Sequence, residues 1–120
     1  MVDSKIKRGT VVLVNFPFTD GYSTKVRPAV IITPDNLLPL MKDTLCVFIS
    51  SSKSIQMLPS DFVIETSNPS FPETGLQFRS TIRCHKIALL EKSFINRVLG
   101  VLDNTLINEL NKHLKIAIGL

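Results

Sequence analysis

Arg27 and the hydroxyl run Ser50-Ser51-Ser52 are the residues whose types and placing could do chemistry in this chain. Arg27 precedes Pro28, and a residue before proline is held to an extended backbone, which limits how far the side chain can swing away. The serines follow the apolar run Val47-Phe48-Ile49, so both features stand where a strand-like run meets a polar connection. A fixed guanidinium beside a hydroxyl suits a phosphodiester. Arginine offers a planar fork of donors to nonbridging oxygens, and the hydroxyl adds another. RNA supplies its own nucleophile in the 2′-hydroxyl, so a protein need only orient that group, stabilise the charged phosphorane and assist departure of the 5′-oxygen. The same spacing equally allows Arg27 to be a surface arginine paired with Asp20 or another acid.

Other chemistries find less support. Gly75, Gly100 and Gly119 stand alone, without a phosphate-binding loop or dinucleotide fingerprint after a strand. Cys84 and His85 are adjacent, and neighbouring side chains of a strand point to opposite faces, which argues against a nucleophile–base pair. No His, Cys or carboxylate cluster has metal-ligand spacing, so neither a metal nor another cofactor is expected. Cys46 and Cys84 lie in apolar runs and read as core thiols. His85 is expected on an outer strand face and His113 on the polar flank of the last helix.

These residues need a frame. Residues 10–16 read as a first strand whose almost unbroken apolar character predicts burial on both faces or a strongly bent barrel strand. Residues 19–25 form a turn or binding loop around Asp20-Gly21. Arg27 opens a second strand over 28–33, and Pro39 limits residues 37–41 to a short helical turn. Further strands are expected over 44–49, 62–65, 76–80 and 81–90, the last two reading either as separate strands or as one strand bent around Arg79-Ser80. Residues 91–99 read as a short helix or looser turn. Asp103 caps a final helix whose Leu106, Leu110, Leu114 and Ala117 recur at helical spacing, with Ile107 and Ile118 broadening the stripe. Many short strands separated by turn residues predict a small antiparallel, partly closed barrel, a form that limits exposed sheet edges.

With 120 residues and 44% hydrophobic composition, a single domain over 1–120 is expected, burying about two-thirds of the surface of its unfolded chain. The net charge is +4. Residues 1–27 hold five basic against two acidic groups, residues 28–79 three against five, and residues 80–120 six against three. Two basic ends favour polyanionic partners. No secretory signal is visible, and no apolar run approaches the roughly 20 residues that span a bilayer. A cytoplasmic protein without membrane contact is therefore expected.

Motif order is more specific than any single motif. Lys7-Arg8-Gly9-Thr10-Val11-Val12-Leu13-Val14, then Phe16-Pro17 and Asp20-Gly21, then Val26-Arg27-Pro28-Ala29-Val30-Ile31-Ile32, resembles the opening of the MazF/PemK family of toxin ribonucleases. Ile49-Ser50-Ser51 falls at that family's Ile-Thr-Ser-like strand end, with Leu58-Pro59 at the expected distance. Gly75-Leu76, Ser80, Ile87, Glu91-Lys92 and Leu99-Gly100-Val101-Leu102 match later landmarks, so the likeness covers nearly all of the chain.

The resemblance implies a mainly β fold with a C-terminal helix, a small SH3-like antiparallel β-barrel that forms a two-fold homodimer. It implies a metal-independent endoribonuclease that cuts single-stranded RNA, such as mRNA, in a sequence-specific manner in a basic groove, leaving a 2′,3′-cyclic phosphate and a 5′-hydroxyl. Arg27 matches the catalytic arginine and Ser50 the catalytic threonine; serine keeps the donor hydroxyl but lacks the methyl that restricts the rotamer. Ala88 and Leu89 replace polar positions common in the family. Lys25, Ser51, Ser52 and Lys53 flank the two catalytic positions and read as phosphate contacts, and Phe16 offers a stacking face to a base. Gln77 and Arg79 could read base edges or phosphates in the same groove, depending on register. Phe16 also reads as core, and loop lysines as solvated. The resemblance further implies neutralisation by an antitoxin whose acidic, flexible tail occupies the groove. Two other readings share the barrel: a non-nucleolytic toxin that binds a protein target such as gyrase, and a degenerate module that only binds nucleic acid or a partner. The pairing of Arg27 with Ser50 favours the nuclease.

Overall fold

Branched and aromatic side chains fill the runs that become strands, because they pack well on a pleated surface. The computed structural model describes residues 6–17 and 24–120. It contains β1 (Thr10–Pro17), β2 (Thr24–Ile31), β3 (Asp43–Ser50), β4 (Asp61–Ile64), a one-turn helix α1 (Phe71–Thr74), β5 (Ser80–Glu91), β6 (Ile95–Val101) and a terminal helix α2 (Asn104–Ile118). The strands pair antiparallel in the order β4-β5-β3-β2-β1-β6. The class is the expected one, mainly β with a C-terminal helix.

Both faces of the central strands are buried. Val11, Val30, Val47 and Ile49 join Leu106 and Leu110 of α2 in one apolar cluster. Their neighbours Val12, Ala29, Ile31 and Cys46 turn the other way and join Ile6, Leu38, Leu90 and Ile95 in a second. Successive strand side chains face opposite ways, so a strand covered on both sides reads as a continuous apolar run.

One long helix cannot cover both faces, and the sheet solves this by curling. α1 lies in the connection from β4 to β5, at one end of the sheet, yet packs on β6, the strand at the other end. At that crossing a Cβ on Gly75 would stand 2.1 Å from the Leu99 carbonyl oxygen, and one on Gly100 2.1 Å from that of Glu73. Two backbones touch where no side chain fits. The ends of the sheet thereby meet in a barrel-like form although β4 and β6 are not neighbours in the hydrogen-bonded order.

Several local expectations change. β2 already begins at Thr24, so Arg27 lies within the strand. Residues 76–79 are irregular and β5 starts at Ser80. Residues 91–99 are not a helix: a 3₁₀ turn occupies Lys92–Phe94, and β6 then follows because Ile95, Arg97 and Val98 pair with β1. α1 forms inside the Pro-rich connection, where Pro72 near a helix start gives up no intrahelical bond. Asp103 caps α2 as expected, its carboxylate accepting the Leu106 N–H at 3.1 Å. The Ser70 hydroxyl and that N–H hold the Asp103 carboxyl below its ordinary value. His113 departs from the expected polar flank, its ring lying 4.8 Å from that of Phe62. Residues 18–23, including Asp20 and most of the 19–25 connection, fall outside the described residues. Among the described residues no helix is long and apolar enough to cross a membrane.

Candidate active site

Pro28 shapes the site by what it lacks. It has no N–H to give a neighbouring strand, and the β2–β3 ladder ends beside it at the pair Ala29 and Phe48. Two residues beyond that pair on each strand stand Arg27 and Ser50, which by alternation take the face of Ala29 and Phe48 although the ladder no longer joins the strands there. Arg27 lies across from Val14 of β1 on its other side. Both Arg27 and Ser50 are half-buried, so each has a rigid strand beneath it and access to solvent above.

An open cleft of about 340 Å³ lies beside Arg27, lined by Phe16, Phe48, Lys86, Ile87 and Ala88. Phe16 and Phe48 meet edge to face with centroids 5.1 Å apart and planes at 88°. Both rings also pack against the second apolar cluster, so Phe16 is partly core and partly cleft wall. Phe48 was legible in principle, since it stands two residues before Ser50 and alternation puts both on one face. Lys86 gave no such signal.

The serines form a connected chain. The Ser52 N–H donates to the Ser50 hydroxyl oxygen at 3.2 Å. The Ser54 N–H donates to the Ser52 hydroxyl oxygen at 3.2 Å, and the Ser52 and Ser54 hydroxyls lie 3.1 Å apart. The contact from Ser52 uses one lone pair of Ser50 Oγ and leaves its hydroxyl proton available to donate. The loop is anchored at its far end by Asp61, whose buried carboxylate accepts the Leu58 N–H at 2.8 Å and Arg83 Nε at 3.1 Å. A second Arg83 nitrogen donates to the Gln56 carbonyl at 3.3 Å. His85, expected on an outer face, is half-buried beside this pair, its Nδ1 3.3 Å from the Ser60 hydroxyl and 3.6 Å from Asp61.

The remaining candidates gather elsewhere. Ser51, Lys53, Gln77 and Arg79 line an adjoining cleft together with Thr66 and Phe78. A further depression of about 290 Å³ continues from Ser51, Gln77 and Phe78 to Leu13, Pro28 and Arg97. Leu13 and Pro28 share the side of Val11 and Val30, opposite that of Arg27. Gln77 and Arg79 therefore do not share the Arg27 cleft but flank the end of β3 from the other side. Ser51 lines both of these depressions, whereas Ser50, at the end of β3, lines none of the three clefts. Arg79 also holds Glu65 at 3.0 Å in an exposed ion pair, a contact of small energy that a stronger anion can displace. Lys25, opposite Phe16, and Ser52 are exposed and belong to none of these linings. Phe78, 64% exposed, and Arg97 join the second cleft without having been singled out in the sequence; a phenylalanine between polar neighbours was the one available signal.

Two groups drop out as nucleophiles. Burial pushes the Cys46 thiol up to about 11, and burial together with the Asp61 charge pushes Cys84 up to about 12. Neither is a thiolate near neutral pH. Among the described residues no group of three or more His, Cys, Asp or Glu is placed to hold a metal ion.

Comparisons with known proteins agree with this geometry at the level of fold. An endoribonuclease in complex with its cognate antitoxin, from a mycobacterial species, superposes with a TM-score of 0.74 at 20% identity, covering 96% of each chain. The Mycobacterium tuberculosis toxin MazF-mt6 gives 0.68 at 17% identity, covering 91% of this chain and 97% of its own. MazF from Deinococcus radiodurans gives 0.72 at 14% identity, covering 96% and 97% respectively. No curated protein matches by sequence. The model of PemK-like and MazF-like toxins matches residues 7–118, from the turn before β1 to the last turn of α2. Because that match takes in every strand described above, the chain belongs to the PemK/MazF-like toxin family of type II toxin–antitoxin systems.

Proposed function

We propose that this protein is an endoribonuclease that cuts single-stranded RNA with Arg27 and Ser50. The observation that carries this reading is the common face of the two residues just beyond the Ala29–Phe48 pair, beside a cleft walled by two aromatic rings. The structural neighbours whose names identify them as endoribonucleases are consistent with it.

The chemistry follows from the groups present. The 2′-oxygen of one nucleotide attacks the adjacent phosphorus as the bond to the 5′-oxygen of the next breaks. A solvent water takes the proton of the 2′-hydroxyl and another protonates the departing 5′-oxygen, leaving a 2′,3′-cyclic phosphate and a 5′-hydroxyl. Arg27 offers its fork to the nonbridging oxygens, where negative charge grows in the phosphorane. Ser50 donates its free hydroxyl proton to the same region. No step calls on a metal ion. Ser51, Lys53, Gln77 and Arg79 in the adjoining cleft hold the strand on one side of the scissile bond, and Phe16 and Lys25 on the other.

The partners follow the same reading. An acidic antitoxin segment competes with RNA for Arg27 and its neighbours, in keeping with the neighbour solved with its cognate antitoxin, and the active form is a homodimer.

The deciding experiment incubates the protein with long mixed-sequence RNA in excess EDTA and maps the cut ends. Cleavage with cyclic-phosphate and 5′-hydroxyl ends, lost in Arg27→Ala, is expected. Intact RNA, or cutting that survives Arg27→Ala, overturns the proposal. The cut map also gives the sequence preference.

A further inference from the structure

The cleft beside Arg27 contains a second cation with no role in the reaction as described. Lys86 lines it together with Phe16, Phe48 and Ala88, and the charged members of that lining, Arg27 and Lys86, are both positive. What brings Lys86 there is an irregularity in β5. Phe48 of β3 pairs with Arg83, but its neighbour Val47 pairs with Ile87, so Cys84, His85 and Lys86 are looped out against a single step of the partner strand.

An insertion of three residues is odd, and a strand alternates with period two, so the bulge exchanges the faces. Before it, the even-numbered residues Ile82 and Cys84 belong to the cluster under α2. After it, Ala88 and Leu90 face the opposite cluster, that of Val12 and Ala29. Lys86 is the last residue of the bulge and takes the second orientation, towards Arg27. A regular β5 would have carried it to the α2 side. The same turnover places the small side chain of Ala88 in the lining, which leaves the cleft open between the two cations and the Phe16–Phe48 wall.

We infer that Lys86 is a phosphate-binding residue of this cleft, which takes one nucleotide unit of a single strand, its phosphate between Arg27 and Lys86 and its base against the two phenylalanines. The inference rests on the RNA-cleaving reading of the site and adds a residue and a subsite to it. A lysine here is a point charge on an exposed, flexible stem, suited to holding a phosphate in the ground state without the directed fork that Arg27 brings to the phosphorane. It contributes to binding substrate and transition state alike, so its loss raises KM and leaves kcat nearly unchanged.

The test separates this inference from the reading beneath it. Binding is measured to a mixed-sequence single-stranded DNA oligonucleotide, which lacks the 2′-hydroxyl and cannot be cut, across a series of salt concentrations. Lys86→Gln is expected to weaken binding about tenfold at low salt and to reduce the slope of log K against log salt by about 0.7, the value for one lost contact to a single strand. Lys86→Arg restores the slope, and Lys112→Gln, on the exposed side of α2, changes neither quantity. An unchanged slope in Lys86→Gln, or an equal change in Lys112→Gln, overturns the assignment of Lys86. Intact RNA in the cleavage assay overturns the nuclease reading instead, and cleavage that survives Arg27→Ala overturns the role of Arg27, whatever Lys86 does in the binding experiment.

Discussion

Arg27 and Ser50 occupy equivalent places, each two residues beyond the Ala29–Phe48 pair at the end of the β2–β3 ladder. The ladder stops next to Pro28, and the two polar side chains stand where the strands cease to pair. Ser50 differs in kind from a threonine at this position because its rotamer is not restricted by a methyl group; here the Ser52 N–H at 3.2 Å supplies part of that restraint. Ser50→Thr is therefore expected to retain cleavage, whereas Ser50→Ala loses about 10²- to 10³-fold in kcat, as for removal of one donor to a developing oxyanion. Single-turnover cleavage of a mapped RNA site reads both. Equal rates for Ser50→Ala and the unaltered protein would remove Ser50 from the mechanism.

The Asp61 side chain is fully buried and Arg83 nearly so, with Nε and Oδ1 3.1 Å apart. Removing one partner strands the other charge in a poorly solvated place. Arg83→Met is expected to cost about 3–5 kcal/mol, read as a lower urea midpoint. Adding Asp61→Asn should recover part of the loss, because the carboxylate that suffers is then gone. Additive effects would show that the two residues act separately.

Three glycines with different surroundings give a graded prediction. Gly75 and Gly100 meet carbonyl oxygens at 2.1 Å from a would-be Cβ, whereas Gly119 has nothing within 4 Å. Gly119→Ala, at φ +76, carries only the left-handed backbone cost of about 1 kcal/mol. Gly75→Ala and Gly100→Ala must part α1 from β6 and are expected to lose more than about 3 kcal/mol each. Thermal unfolding of the three variants checks the order, and a Gly100→Ala protein as stable as Gly119→Ala would contradict the crossing.

The buried thiols give the pH dependence. Cys46 and Cys84 are raised in the folded chain from 9.0 to about 11 and about 12. Between the ordinary value and these, the unfolded chain has already lost protons that the folded chain retains, so stability falls as pH rises. The contribution is fully present below about pH 9 and is lost above it. Cys46→Ala and Cys84→Ala should flatten that alkaline decline in a series of urea titrations. A disulfide-exchange reagent at pH 8 should find both thiols protected in the native protein and reactive once it is unfolded.

Much of this architecture was legible because it is written at short range. Periodic apolar runs, the serine run after Ile49 and the Asp103 cap each act through neighbours in sequence, so β1, β3 and α2 could be read directly. β6 could not, since Ile95–Val101 is a strand only by virtue of pairing with β1 at the far end of the chain. Nor could the partition of candidate residues. That Ser51 and Gln77 face one cleft while Arg27 faces another depends on register across strands that sequence does not fix. Lys86 is the clearest case: its residue type and position are in the chain, but its face is set by three residues of β5 that find no partner in β3. The sequence by itself determined which groups are available and which segments extend; the pairing of distant strands decided which of those groups meet, because an odd shift in register moves a side chain through the sheet without changing a single residue.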